Sequence, residues 1–157
     1  MKIGIIVHSS TGNTYSVAEK LKDKLIKSGH SVELKKIEPV GGENPNNVDI
    51  KKISFDPQPN VEGFNALILC GPVRAFSMSP VLLAYLAKID SLKDQKIDLF
   101  VTQFFPYPWM GGKNAISQMK KTCETKGATV GLTGIINWKN RKREKMIQDL
   151  LDQFSRR

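Results

Sequence analysis

Short apolar runs rich in β-branched residues alternate along this chain with segments whose apolar residues recur at helical spacing, and that alternation restricts the fold more than any other feature. Residues 2–8 (KIGIIVH) form the first run and end at a Ser/Thr/Gly/Asn cluster, the pattern of a strand buried on both faces of a sheet. Beyond it Val17, Ala18, Leu21, Leu25 and Ile26 fall on one stripe, and Gly29 stands where a helix would be capped, so the spacing predicts a helix over 14–28. The alternation then repeats. Strands are expected at 32–37, 64–70, 96–102 and 129–138, and helices at 80–89 and 114–126. In a closing amphipathic helix Met146, Ile147, Leu150, Leu151 and Phe154 share a face.

Strands that alternate with helices predict an α/β fold, a parallel sheet covered on both faces and wound by right-handed crossovers. At 157 residues the chain is of ordinary single-domain size, and the expectation is one domain over 1–157. Five strands suit a three-layer sandwich with strand order 2-1-3-4-5. In such open sheets a ligand lies beyond the carboxyl ends of the strands, where strand order reverses, so the loops after strands one, three and four are the ones to read for chemistry. Residues 40–63, rich in Gly, Pro and Asn, have no sustained period. They are read as a short helix or extended strand near 50–55, or as a working loop.

The first of the three loops is Ser9-Ser10-Thr11-Gly12-Asn13-Thr14, opening directly into a helix. Small residues let backbone fold closely around an anion, Gly12 relaxes the backbone limits, and the helix's first N–H groups point at the bound charge. Neither G-x-x-x-x-G-K-[ST] nor G-x-G-x-x-G is present, which excludes the common triphosphate and dinucleotide loops and leaves a monophosphate as the better fit. The bland reading is a Ser/Thr-rich helix start, but the density of hydroxyls directly after strand one favours a phosphate. The segment resembles the flavodoxins, whose [ST]-x-T-G-N-T loop wraps the phosphate of FMN, and 9–14 match that pattern at every position. The resemblance implies a flavodoxin-like fold and noncovalent FMN. It would be held by the hydroxyls of Ser9, Thr11 and Thr14 and by backbone N–H groups around Ser10, Gly12 and Asn13.

An isoalloxazine ring needs apolar or aromatic walls and a few polar groups at its edge. The loop after strand three, with Pro72, Val73, Arg74, Ala75 and Phe76 following Gly71, is similar to the G-x-P-V-x-A stretch of flavodoxin-like quinone and FMN reductases. After strand four, residues 103–112 (QFFPYPWMGG) offer Gln103, Phe104, Tyr107, Trp109, Gly111 and Gly112 as cofactor contacts, with plain core packing as the other reading of both Phe104 and Phe105. Tyr107 and Trp109 lie farthest out and are the better stacking candidates. Arg74 stands where many relatives carry a bulky aromatic. Beside the flavin's pyrimidine edge its charge would favour the fully reduced, anionic flavin; otherwise it is a surface or carboxylate-paired arginine.

The resemblance extends over nearly the whole chain in element order, with the phosphate loop as its one sharp motif. Against it stands a net charge of +9, where electron-shuttling flavodoxins are usually acidic. A basic field favours acidic redox proteins or anionic substrates, and the densest run, KNRKREK over 139–145, reads as the solvated face at the start of the last helix. No aromatic residues interleave with it, so nucleic acid is not the expected partner.

His8 and His30 are too few for a metal centre, and Cys70 and Cys123 lack C-x-x-C spacing. Lys113 and Asn114 are read as starting a helix. With no long apolar run and no signal-peptide pattern, a cytoplasmic location is expected. No acidic pair is evident in the three loops, so the flavin would carry the chemistry. The protein is then an electron carrier, or a reductase taking hydride from NAD(P)H and passing it to a quinone-type acceptor. The rival from another class is a cofactor-free interaction module that uses its basic face.

Overall fold

The computed structural model describes residues 1–42, 49–107 and 109–156. Its strands are β1 (Lys2–Val7), β2 (Ser31–Lys36), β3 (Ala66–Arg74), β4 (Ser77–Met78), β5 (Lys96–Gln103) and β6 (Thr129–Asn137). The helices are α1 (Asn13–Lys27), α2 (Pro80–Ala87), α3 (Gly112–Thr125) and α4 (Arg143–Ser155). Five strands run parallel in the order β2-β1-β3-β5-β6, and the two-residue β4 folds back antiparallel on β3. This is the expected flavodoxin-like order, with the short hairpin strand β4 shifting the numbers of the later strands.

Burial follows from that order. The central strands β1, β3 and β5 are buried on both faces and carry continuous apolar runs, whereas β2 at one edge alternates between partly covered and exposed positions. On one face α1 and α4 bring Val17, Leu21, Leu25, Ile147, Leu150 and Phe154 against Ile3, Ile5, Ile68 and Phe100. On the other, α2 and α3 bring Leu82, Tyr85, Leu86 and Met119 against Ile6, Leu67, Leu69 and Leu99. Each of these large side chains contributes about 1.5–3 kcal/mol on leaving water, so both helical layers are held to the sheet by apolar contact.

The described part of the long segment 40–63 is a packed cover over α2. It contains one 3-10 turn, Ile50–Lys52, and an isolated antiparallel bridge from Pro39 to Phe55. Ile53 and Phe55 are buried, Phe55 meets the Tyr85 ring edge-on at 5.8 Å, and the Tyr85 hydroxyl donates to the Pro59 carbonyl at 2.5 Å. Residues 43–48, which fall in the same sequence expectation, lie outside the described residues. No helix among the described residues is long and apolar enough to cross a membrane.

Candidate functional site

The carboxyl ends of β1, β3 and β5 gather the loops singled out from the sequence. In the first, Gly12 adopts the left-handed conformation with φ 89°, which an L side chain reaches only with strain. Ser9 Oγ accepts hydrogen bonds from Gly12 N at 3.1 Å and from Tyr15 N at 3.3 Å, so a residue three positions ahead of Gly12 does the work of a helix cap. Asn13 N reaches Thr11 Oγ1 at 3.4 Å. Among the described residues no protein acceptor takes the N–H groups of Ser10, Thr11 or Thr14. The loop therefore presents unclaimed donors at the positive end of a fifteen-residue helix.

Thr14 is buried and shares a 2.7 Å hydrogen bond with Thr102 Oγ1 on β5. Its hydroxyl ties the loop to the sheet, leaving Ser10 and Thr11 as the exposed hydroxyls of the loop. Below the loop His8 is buried, with Nδ1 2.8 Å from Ser79 Oγ, the cap of α2. The contact ties the end of β1 to the start of α2, a structural role for His8.

Beyond β3 the chain turns back on two residues, Ala75 and Phe76, both left-handed with φ 47° and 62°. Such a turn matches the twist of a hairpin but usually takes Gly or Asn, and it costs these L residues roughly 1–2 kcal/mol each. Several contacts hold it. Ser77 Oγ donates to the Arg74 carbonyl at 3.3 Å, Asn114 Nδ2 to the Phe76 carbonyl at 3.0 Å, and Met78 N to Gln118 Oε1 at 2.7 Å. Lys113 and Asn114 lie in the first turn of α3, as read from the sequence. Pro72 is buried within β3, and Val73 and Arg74 close that strand half-buried.

The loop after β5 carries the aromatics outward. Phe104, Phe105, Tyr107 and Trp109 are all exposed, so neither Phe104 nor Phe105 is core. Phe105 stacks on Phe76 with ring centroids 5.5 Å apart, joining the second and third loops, and Tyr107 stacks on Trp109 at 4.5 Å with the planes 3° apart. Gly111, φ 115°, closes against the hairpin backbone, and Gly112 packs against Ile135 and Gln103.

Gln103 sits at the end of β5, buried, rather than in the loop's mouth. Its Nε2 donates to the Tyr107 carbonyl and, at 2.6 Å, to Asn137 Oδ1 on β6, while Oε1 is buried with no hydrogen-bond partner among the described residues. Gln103 thus fixes the path of the aromatic loop. Sequence reasoning missed Thr102, the partner of Thr14, and Asn137, the partner of Gln103; the available signal was a polar residue closing each of two apolar strand runs.

No protein-family model matches the chain, and no curated protein matches it. Solved structures do. Flavodoxin 2 from Bacillus cereus superposes with a TM-score of 0.66 at 18% identity over 99% of this chain and 98% of its own. A Fusobacterium nucleatum flavodoxin bound to flavin mononucleotide gives 0.64 at 15% identity over 98% and 96%. An azoreductase from Bacillus anthracis gives 0.62 at 16% identity over 99% and 97%. At these identities the likeness shows a flavodoxin-like fold.

Proposed function

We propose that this flavodoxin-fold chain binds one FMN noncovalently at the carboxyl edge of its sheet and serves as a redox protein. The observation that carries the reading is the loop 9–14. Around left-handed Gly12 it leaves the N–H groups of Ser10, Thr11 and Thr14 unclaimed by any described residue at the start of α1. It lies where the order β2-β1-β3 reverses direction in sequence. A cofactor-free interaction module has no need of donors converging there. A flavodoxin bound to flavin mononucleotide among the structural neighbours supports the same reading.

In this reading Ser9 shapes the loop through its two accepted hydrogen bonds, the N–H groups of Ser10, Thr11 and Thr14 and the exposed hydroxyls of Ser10 and Thr11 hold the phosphate, and the Thr14 side chain anchors the loop to Thr102. FMN, when bound, supplies one- and two-electron transfer, and the protein supplies position and electrostatics. The Tyr107–Trp109 pair provides a flat apolar wall, the Phe76–Phe105 stack holds the hairpin against that loop, and backbone groups from Pro72 to Ala75, with Gly111 and Gly112 close by, frame the ring's polar edge. Arg74, half-buried at the end of β3, contributes positive charge that favours reduction. Arg74→Ala is expected to shift the bound flavin's two-electron midpoint to more negative potential, by about 30 mV for each tenfold loss of stabilisation.

Titration of the purified protein with FMN, followed by its visible spectrum, tests the function. Saturable binding with a shifted flavin band is expected, and no binding at micromolar FMN overturns the reading. Stepwise reduction then divides the class: accumulation of one-electron-reduced flavin marks a carrier, and direct bleaching by NADH or NADPH marks a reductase.

A further inference from the structure

Residues 139–145, KNRKREK, hold five cations against one carboxylate. The sequence reads as the solvated face of the last helix, yet α4 begins only at Arg143, and Lys139, Arg141 and Lys142 lie in the turn ahead of it, at the carboxyl edge of the sheet. There they line one cleft with Pro106, Tyr107 and Asn140.

The cleft is built, not merely charged. Trp138 N donates to the Gln103 carbonyl at 2.7 Å, Lys139 N to the Phe104 carbonyl at 3.2 Å and Asn140 Nδ2 to the Pro106 carbonyl at 3.0 Å. Lys142 N donates to Asn140 Oδ1 at 2.9 Å, so the Asn140 amide is engaged at both ends and braces the turn against the aromatic loop. The charge is also uncompensated. Arg143 pairs with Glu144 and stacks over Trp138, whereas neither Arg141 nor Lys142 has a carboxylate partner among the described residues. Both are exposed, and Lys139 lies over the Phe104 ring. Tyr107, finally, is common to this cleft and to the Tyr107–Trp109 stack.

Three cations at one concave site without an anion suit a small group bearing more than a single negative charge. A phosphomonoester, with nearly two charges and three acceptor oxygens, matches that better than a carboxylate, and an arginine can engage it with two parallel hydrogen bonds. We propose that Lys139, Arg141 and Lys142 form a subsite for the phosphomonoester of a nucleotide-type substrate, the group that distinguishes NADP from NAD. The concavity favours a small ligand over an acidic protein. The purpose of such a substrate rests on the flavin reading above; its binding does not.

Calorimetric titration of the FMN-loaded protein with NADP+ and NAD+ at low salt tests the proposal, with Arg141→Gln/Lys142→Gln as the variant. NADP+ is expected to bind about tenfold tighter than NAD+, the scale of a charge-assisted contact, and the preference to vanish in the variant while its melting temperature and FMN affinity are kept. Equal binding of the two dinucleotides, or a preference that survives the substitutions, overturns it. Inorganic phosphate competing as well as NADP+ would make this a free-phosphate site and overturn the nucleotide assignment, as would binding of acidic protein without dinucleotide. If FMN fails to bind, the proposed function falls while the same comparison on the flavin-free protein still decides the subsite.

Discussion

The α-carbon of Phe76 fills the space that a side chain on Gly111 would need: a β-carbon there would lie 2.7 Å from it. This contact docks the aromatic loop after β5 onto the left-handed hairpin tip after β3, bringing the two expected walls of the site together. Gly111 also has φ 115°, so a substitution meets both a backbone clash and an unfavourable conformation. Gly111→Ala is expected to lower stability by about 2–4 kcal/mol and to weaken FMN binding by separating the two loops. A urea midpoint unchanged from the wild type would show that the loops do not depend on this approach.

Local structure was legible in the sequence, and contact between distant loops was not. The loop 9–14 could be read because its signal, small residues and hydroxyls between a strand and a helix, is contained in six neighbouring positions. Element order was readable for the same reason. Ala75 and Phe76 gave no sign of a left-handed turn, since neither is a residue that favours one; the turn persists through contacts to Asn114 and Gly111, which stand far along the chain. Gln103 looked like a loop residue because its burial depends on Asn137 of β6. The same non-local lacing, from residues 103–106 to 138–140, turned a run of charge into one wall of a cleft.

Ser9 is expected to contribute mainly through loop shape. Ser9→Ala removes the acceptor for Gly12 N and Tyr15 N, at about 0.5–2 kcal/mol in stability. The FMN dissociation constant should rise about tenfold, equivalent to roughly 1.4 kcal/mol. Ser9→Thr keeps the oxygen and should stay near wild type in both measurements. Should Ser9→Ala bind FMN unchanged, the loop does not organise the phosphate site.

The Thr14–Thr102 pair calls for a double-mutant cycle. Thr14 is buried, so Thr102→Val leaves its hydroxyl without the partner 2.7 Å away, an expected cost of about 1–3 kcal/mol. Replacing both by Val removes both polar groups and should recover part of that loss. Urea denaturation of the four proteins reads the coupling; strictly additive effects would mean that the hydroxyls do not depend on one another.

Stability at alkaline pH should report the two thiols. Cys70 and Cys123 are buried and unpaired with each other, and burial pushes both up, Cys123 from 9.0 to about 12 with a further push from Glu124. Below pH 9 both states keep their thiol protons and this stability is intact. As pH rises from about 9 toward 12 the unfolded chain releases protons that the native chain retains, so stability falls by up to about 1.4 kcal/mol per pH unit for each thiol. Tyr85, also raised by burial, acts in the same direction, which makes a comparison necessary: Cys123→Ala should show a shallower fall in urea midpoint between about pH 8 and about pH 11 than the parent. The same burial should leave both thiols unmodified by a thiol reagent in the native protein and both reactive once denaturant is added. A parent and variant with equal alkaline slopes, or prompt labelling of the native protein, would show that these cysteines are reached by water in the folded state.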